Sequence, residues 1–375
     1  MIDVLIVGAG PAGAIAALKA ARAGARVLVL ERARFPRHKL CGDTINPGAL
    51  AELEAAGVAG LVRPLALPVN GMRVSGVGGV EVSGGYPDGL CGLAISRETL
   101  DATLAEAASA AGARIEFGAR VEGPALDARG HVVGVRVRCP SRREPIAVHA
   151  PMAIAADGRR SALAITLGLA RHPRRRRWAV GAYFDGVDAM RSHGEMHVRP
   201  GAYLGIAPLP GGLTNVCFVS ARRHGWRDPE AQLLDAIEVD PGIWRRFQRA
   251  RRVSAVSVLG PLAVDAPVAG APGLLLAGDA AGFIDPMTGD GLRFAFAGGR
   301  LASDAALAAL DGGDPVAAWQ ALTRARRALF APKWRFNRAL AALVEHPAAV
   351  GFASAGARVA PFFVRRLIAR AGDAA

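Results

Sequence analysis

The chain has 375 residues, 51% of them hydrophobic, and a formal net charge of +14 at pH 7. This length and composition argue against disorder and predict one large domain or two closely joined ones. The charge does not indicate a nucleic-acid partner, because all but three of the 46 basic residues are arginines, spread along the chain without interleaved aromatic residues. The four cysteines lie too far apart for a zinc or disulfide pattern, which fits a cytoplasmic protein.

The N-terminal segment predicts a βαβ unit. "DVLIVGAG" is a short apolar run typical of a buried parallel strand, "PAGAIAALKAARAG" is an alanine-rich helix that ends at Gly24, and "ARVLVLE" is a second strand. Because this segment reads as a strand of the fold, we do not expect it to be a signal peptide. The chain also lacks the run of about 18 uncharged apolar residues that a membrane-spanning helix needs.

The middle of the chain changes character. Residues 96–112 predict a helix that Ser96 caps and Gly112 stops. Between 178 and 225, four segments of alternating apolar and polar residues predict an antiparallel sheet with one covered face, and a helical stretch follows at 229–250. The sequence therefore predicts that a sheet interrupts the first fold.

The C-terminal third returns to the first fold and then becomes helical. "GLLLAGDAAG" predicts another buried strand, followed by a long helix from about 290 to 310. Residues 314–371 predict helices broken at Pro332, Pro347 and Pro361.

"GAGPAG" on the first strand-to-helix turn is a nucleotide-binding motif. Gly8 permits the tight turn, Gly10 lets a pyrophosphate approach the backbone, and Gly13 lets helix and strand pack closely. The N–H groups at the helix start favour phosphate. Glu31 ends the second strand, where a carboxylate accepts hydrogen bonds from ribose hydroxyls, so FAD or NAD is favoured over NADP.

Two later segments favour FAD over NAD. Asp157 and Gly158 directly follow a strand, and Asp279 at another strand end can meet a ribityl hydroxyl. The helix that begins near Gly289 can point its N-terminus at the flavin's pyrimidine edge, where negative charge accumulates on reduction. These two segments contribute the candidates Asp157, Gly158, Gly278, Asp279, Pro286 and Gly289.

In this order and spacing, the three elements resemble the flavoprotein monooxygenase superfamily that includes aromatic hydroxylases, over about residues 1 to 330. "FPRHKLCGDTINPGAL" and Gly282 are most similar to its geranylgeranyl-reductase branch, which also includes flavin-dependent halogenases. The resemblance implies an α/β fold (α+β overall) with a Rossmann-like FAD-binding domain, an antiparallel β-sheet substrate domain and C-terminal helices. The expected ranges are 1–70, 92–170 and 251–330 for FAD, 71–91 and 171–250 for substrate, and 331–375 for a helical cap.

The resemblance also assigns residues to the flavin. It places the Lys-x-Cys-Gly segment against the isoalloxazine ring, and its remaining cofactor contacts are Pro11, Ala12, Arg32, Lys39, Cys41, Gly42, Asp43, Arg97, Val121, Gly291 and Leu292. Cys41, a small polarizable neighbour of the ring, is a catalytic candidate. The alternatives for Cys41 are simple packing and, less favoured, redox activity, for which the sequence offers no nearby second cysteine.

Residues 193–197, "HGEMH", would place His193, Glu195 and His197 on one face of a strand. The first interpretation is structural: the three side chains have hydrogen-bond partners within the fold and take no part in catalysis. The second is an acid/base pair at the substrate, in which His197 or Glu195 deprotonates a phenol, and a metal site is the least favoured. Tyr203 is a further catalytic candidate. Its segment "YLGIAPLP" lacks the tryptophan of the reductases and of the halogenases, which predicts a pocket for a wider or differently shaped apolar substrate.

These observations predict an FAD-dependent monooxygenase that hydroxylates an apolar phenolic, polyketide or isoprenoid-type substrate through a flavin C4a-hydroperoxide. The alternatives are a geranylgeranyl-reductase-like double-bond reductase, a halogenase and a non-catalytic flavin- or lipid-binding module. No second nucleotide fold is predicted, so NAD(P)H docks transiently or a separate reductase supplies electrons. The C-terminal "VAPFFVRRLIAR" is either a plain capping helix or a contact with the inner membrane surface.

Overall fold

The computed structural model describes residues 1–138, 144–174, 176–221 and 228–373. The bounds of its helices are α1 Pro11–Arg22, α2 Pro47–Ala55, α3 Ala59–Val62, α4 Arg97–Ala110, α5 Ala162–Thr166, α6 Pro229–Glu238, α7 Pro241–Phe247, α8 Gly291–Leu310, α9 Ala318–Glu345, α10 Pro347–Val359 and α11 Pro361–Ala371.

The strands fall into one six-stranded, one eight-stranded and two three-stranded sheets. Their bounds are β1 Val4–Val7, β2 Val27–Glu31, β3 Thr44–Ile45, β4 Leu67–Val69, β5 Gly71–Ser75, β6 Glu81–Gly85, β7 Gly92–Ala94, β8 Arg114–Phe117, β9 Arg120–Leu126, β10 Val132–Arg138, β11 Ile146–His149, β12 Met152–Ala155, β13 Trp178–Asp185, β14 His193–Arg199, β15 Ala202–Pro208, β16 Thr214–Ser220, β17 Arg251–Arg252, β18 Ser257–Leu259, β19 Gly270–Ala271 and β20 Leu274–Leu276.

The six-stranded sheet has the order β19-β20-β12-β1-β2-β8, and all its pairs except β19–β20 are parallel. Every residue of β1, β2, β12 and β20 is buried, because helices and the β9–β11 sheet cover the two faces. Continuous apolar runs are what such a sheet requires. The predicted Rossmann-like α/β domain is confirmed.

The eight-stranded sheet has the order β17-β13-β16-β15-β14-β5-β6, and β18 pairs with β13. The segment 193–197 lies in β14, as predicted, and β5 joins that strand in parallel from a distant part of the chain. The sheet also recruits β17 and β18, so it extends past residue 250, where the predicted sheet segment ends.

The C-terminal helices correct one prediction. The expected break at Pro332 is wrong, because α9 continues through that proline. Phe330 and Lys333 on either side of it are buried, so tertiary packing holds the helix despite the lost hydrogen bond. Pro347 and Pro361 do start new helices. Within the described ranges no single helix is long and apolar enough to cross a membrane. Only α10 and α11 together, bent by 111°, meet that length and composition.

Candidate active site

A cavity of about 320 Å³ lies where the six-stranded sheet meets the eight-stranded sheet. Its nucleotide side is formed by turns that follow the carboxyl ends of β1, β12 and β20, the edge at which parallel sheets bind ligands. The sequence-predicted residues that line the cavity are Gly10, Pro11, Ala12, Lys39, Cys41, Gly42, Arg97, Gly158, Glu195, Tyr203, Gly278, Asp279, Pro286, Gly289, Gly291 and Leu292.

The remaining predicted residues lie away from this wall. They are Gly8, Gly13, Glu31, Arg32, Asp43, Val121, Asp157 and His197. Arg32 is exposed, and Val121 packs against the core between the six-stranded sheet and β9–β11. The cofactor contacts predicted for these two residues stay predictions.

The three glycines of the first turn have different structural roles, as the sequence predicted. Gly8 has a φ of +95°, and a Cβ there would lie 2.7 Å from the Ala156 carbonyl oxygen. A Cβ on Gly13 would lie 1.8 Å from the Gly8 carbonyl oxygen, so only glycine lets α1 approach the turn. A Cβ on Gly10 would meet nothing nearer than Arg37 Nη2 at 3.8 Å, so Gly10 leaves open space for a ligand.

Three buried polar atoms at this end of the cavity have no hydrogen-bond partner in the described part of the chain: Arg37 Nη1, Arg159 Nε and Asp157 Oδ1. Buried N–H groups normally have partners, so Nη1 of Arg37, whose Nη2 pairs with Asp101, and Nε of Arg159 in the cavity wall fit a bound pyrophosphate. Burial lowers the pKa of Arg159, which an anion would oppose. Sequence reasoning missed both arginines, because each is one of many.

Glu31 fastens the nucleotide turn. One carboxylate oxygen accepts from the Ala9 amide at 2.8 Å and the other from the Ala33 amide at 2.9 Å. Each oxygen keeps lone-pair capacity for a ribose hydroxyl, so that predicted role stays open.

Arg97 links α4 to the Lys-x-Cys-Gly segment. It is buried, makes two 2.8 Å hydrogen bonds to Asp101, and its backbone N–H donates to Asp43 at 3.3 Å. Burial raises the pKa of the Cys41 thiol although the charge of Arg97 opposes the shift, so Cys41 is a thiol at neutral pH. Burial and the neighbouring Arg97 also lower the pKa of Lys39.

Asp43 is completely buried behind this segment, with a φ of +54°. Its Oδ2 accepts from the Tyr183 hydroxyl and from Asn215 Nδ2, both at 2.7 Å. Asn215 also donates to the Cys41 carbonyl at 2.7 Å. Burial raises the pKa of Asp43 to about 7, although these bonds oppose the shift. Tyr183 and Asn215 were missed, because they come from β13 and β16, far along the chain.

Cys217 of β16 lines the same cavity as Cys41. Burial and then the charge of a Cys41 thiolate raise its pKa to about 12. No sequence signal connected the two, because 175 residues separate them and only the fold of the second sheet brings them near.

Glu195 and His197 of β14 already have partners. Glu195 accepts from Arg246 at 2.7 and 2.9 Å and from His197 Nε2 at 3.0 Å, while His197 Nδ1 bonds Ser75 at 2.8 Å. Burial opposes ionisation of Glu195, but these bonds outweigh it and lower its pKa to about 2. This arrangement is that of a buried ion-pair cluster, and a group with so low a pKa is a weak base.

Tyr203 joins the substrate sheet to the flavin-side loop. Its hydroxyl donates to Asp285 at 2.7 Å, and Arg177 donates to the other oxygen of that carboxylate at 3.0 Å. Burial and the Asp285 charge raise the pKa of Tyr203, so the hydroxyl keeps its proton.

The loop before α8 leaves room for a ring. Gly289 has a φ of +70° with nothing within 4 Å of a Cβ, and α8 begins two residues later. The free N–H groups of that long helix are available to the pyrimidine edge of a flavin. Together with the unpartnered groups near Gly10, this site fits FAD along its whole length.

The far end of the cavity is mostly apolar. It includes no ionic side chain beyond those already named, among the described lining residues, and is formed by Met72, Val74, Met196, Val198, Ile206, Val219, Leu340, Val364, Leu367 and Ile368. Side chains from β5, β14–β16, α9 and α11 therefore build an apolar compartment next to the flavin end.

Known proteins share both the sequence and the architecture. A menaquinone reductase from Mycobacterium tuberculosis is 33% identical over 342 residues, which cover 85% of this chain and 79% of that protein. A digeranylgeranylglycerophospholipid reductase from Methanopyrus kandleri is 31% identical over 335 residues, covering 84% and 80%.

Among solved structures, a geranylgeranyl bacteriochlorophyll reductase-like protein from Thermoplasma acidophilum superimposes with a TM-score of 0.80 at 24% identity, covering 93% of this chain and 89% of that one. The myxobacterial chondrochloren halogenase superimposes with a TM-score of 0.81 at 22% identity, covering 89% and 81%. These two likenesses concern the fold. The family described as "FAD binding domain" matches residues 1–321. The chain therefore belongs to that family, in the branch that resembles geranylgeranyl reductases and flavin-dependent halogenases, and is an FAD-dependent oxidoreductase.

Proposed function

We propose that this enzyme reduces a carbon–carbon double bond in the isoprenoid chain of an apolar lipid. The observation that carries the proposal is the continuous cavity, which starts at the flavin-binding turns and becomes apolar towards α11. An apolar chain gains most from such a compartment. The two relatives named above, a menaquinone reductase and an archaeal lipid reductase, support the same substrate class.

The reaction adds one hydride and one proton across the double bond. When bound and reduced by NAD(P)H or a separate reductase, FAD would supply the hydride. Cys41 holds a proton at Sγ on the cavity wall, and Arg97 beside the sulfur stabilises the thiolate left after transfer. Solvent then reprotonates Cys41. The Tyr203 hydroxyl donates its hydrogen bond to Asp285, so Tyr203 shapes the cavity wall and does not serve as the proton donor.

Hydroxylation is the second candidate, favoured by the absence of the reductases' tryptophan near Tyr203. The base that a phenol hydroxylase would need is engaged elsewhere, because Arg246 neutralises Glu195 and both ring nitrogens of His197 have partners. This is why the reductase is preferred over the monooxygenase that the sequence suggested.

Product mass separates the two reactions. The FAD-loaded enzyme is incubated with menaquinone and a reductant, first without oxygen and then with oxygen, and the lipid is reoxidised with ferricyanide before mass spectrometry. A gain of two hydrogens that survives reoxidation means a saturated chain bond, whereas a gain lost on reoxidation means quinone reduction only. A gain of one oxygen that requires air would establish hydroxylation and overturn the proposal.

Cys41→Ala tests the proton donor. We expect the variant to keep FAD and to lose about 10²-fold in turnover, a general-acid contribution, with Cys91→Ala as the matched control. Cys91 is also a free, partly buried cysteine but lies outside the cavity lining. Unchanged turnover of the Cys41 variant would leave Cys41 a packing role.

A further inference from the structure

The hairpin formed by α10 and α11 exposes large apolar side chains at its outer surface. Val359 is 88% exposed, Phe352 80%, Phe363 58% and Phe362 52%. The rings of Phe362 and Phe363 lie 4.1 Å apart between centroids, so they form one aromatic patch. Contiguous exposed apolar side chains of this kind mark an interaction surface.

All charged side chains of the same hairpin are basic. Arg358, Arg365, Arg366 and Arg370 are exposed, and residues 347–372 contain no aspartate or glutamate. Two of these arginines donate hydrogen bonds to carbonyl oxygens, Arg358 to that of Gly78 and Arg365 to that of Ser83, and neither has an acidic partner among the described residues. Their charge is therefore available to an anionic partner.

The inner face of α11 belongs to the cavity. Val364, Leu367 and Ile368 line it, and Ile368 is buried against the β5–β6 hairpin. Leu367 is at once a lining residue and 43% exposed, so it marks a mouth of the cavity beside the aromatic patch. The exposed patch and the apolar compartment are thus continuous through one helix.

We propose that the α10–α11 hairpin docks on an anionic lipid bilayer and lies in its interface, with the cavity mouth facing the lipid. Aromatic side chains beside arginines are typical of interfacial helices. The two helices meet at 111°, and four arginines would be costly at a bilayer centre, which argues for lying on the surface over spanning. The entry of a lipid substrate beside Leu367 rests on the proposed function, whereas the docking itself does not.

Vesicle flotation of the FAD-loaded protein tests the docking. We expect binding to vesicles of phosphatidylcholine with phosphatidylglycerol, and much weaker binding to phosphatidylcholine alone. Phe362→Ser with Phe363→Ser should weaken binding at least about tenfold per phenylalanine. Arg365→Gln with Arg366→Gln should weaken it about fivefold per arginine. Neither pair lies in the cavity lining.

Matched controls lie away from the hairpin, on strands β8 and β9. Leu126→Ser removes an apolar side chain that is 47% exposed on β9, and Arg114→Gln with Arg120→Gln removes two exposed charges from β8 and β9. FAD content and thermal unfolding verify that each variant is folded. Equal losses in the hairpin and control variants, or no vesicle binding by the wild type, would overturn the proposal. So would a wild-type dimer that the phenylalanine variant converts to a monomer, because the patch would then be covered by a second copy.

A turnover assay separates docking from function. The phenylalanine variant should reduce detergent-dispersed menaquinone as the wild type does, but lose activity on menaquinone in vesicles. If neither protein reduces menaquinone while vesicle binding follows the variants as expected, the proposed function fails and the docking surface stands.

Discussion

At the scale of single residues, a substitution at Gly10 should prevent cofactor binding without preventing folding. Its φ of −65° suits any residue, and a Cβ would meet only Arg37 Nη2 at 3.8 Å, so Gly10→Val should fold. The valine occupies the space that a pyrophosphate needs, so the variant should purify without flavin absorbance. Gly60→Val, at an exposed helical glycine with nothing within 4 Å, is the control and should stay yellow. A yellow Gly10→Val protein would contradict the assigned site.

Asp43 should make stability depend on pH. Its carboxyl ionises near 3.8 in the unfolded chain and near 7 in the folded protein, so between these values only the folded state keeps the proton. The free energy of unfolding therefore falls as pH rises through this window, by about 4 kcal/mol at most. The variant Asp43→Asn has no carboxyl at this position, so its free energy of unfolding should not show this fall. In urea unfolding of the FAD-free protein, the free energy of unfolding of the variant, relative to that of the wild type, should rise by about 2–3 kcal/mol between pH 5 and pH 8.

The control for this comparison is Asp304→Asn, which removes an exposed carboxylate that pairs with Lys19. Parallel stability profiles for the wild type and Asp43→Asn would mean that Asp43 is ionised when buried. In that event, the hydrogen bonds from Tyr183 and Asn215 outweigh its desolvation.

At the scale of elements, one lysine of α9 fastens the end of α11. Lys333 Nζ donates to the carbonyls of Arg370 and Ala371 at 2.6 and 2.8 Å, and lies 3.0 Å from Asp373 and 3.2 Å from Asp290. Because the ammonium is buried, Lys333→Met would remove the cation from the buried Asp290 carboxylate and from the two carbonyls, while Asp373 keeps Arg293, at a cost of about 3–5 kcal/mol.

We expect Lys333→Met to lower the unfolding temperature and to open α11 to trypsin at Arg365 and Arg366. Lys19→Met is the matched control, since the Lys19–Asp304 pair is exposed and contributes at most about 1 kcal/mol. Equal trypsin resistance in the two variants would show that the other contacts of α11, such as the packing of Ile368 and the hydrogen bond from Asn46 to Ala371, hold it in place without Lys333.

Elements set by local patterns were predictable, and those set by distant contacts were not. β1 and α1 follow from an apolar run and a glycine turn, and the Ser96 cap of α4 accepts from Thr99 as its sequence indicates. Pro332 misled the prediction, because the rule that proline ends helices is local, whereas the burial of Phe330 and Lys333 is not.

At the scale of the whole molecule, the candidate site likewise combines residues that local patterns predict with residues that only distant contacts bring in. The flavin-side motifs were predictable, because they sit on short turns after parallel strands. The partners of Cys41 and Asp43 were not, since Cys217, Tyr183 and Asn215 reach them from the eight-stranded sheet. A site built between two sheets therefore includes residues that no local sequence pattern marks.

Because both sheets and the C-terminal helices contribute to one cavity, FAD should stabilise the protein as a unit. A ligand that binds only the folded state adds about 2.7 kcal/mol at a hundred times its dissociation constant. We expect FAD added to the flavin-free protein to raise a single unfolding transition, measured by calorimetry, in step with its concentration.

FMN serves as the control ligand, because it lacks the adenylate half that the Gly10 turn would hold together with Arg37 Nη1 and Arg159 Nε, two atoms without a hydrogen-bond partner among the described residues. It should therefore shift the transition far less than FAD. Equal shifts with the two flavins would place the binding energy at the isoalloxazine end, near Gly289 and α8. A split into two transitions, only one of which responds to FAD, would instead mean that the eight-stranded sheet folds independently of the nucleotide domain.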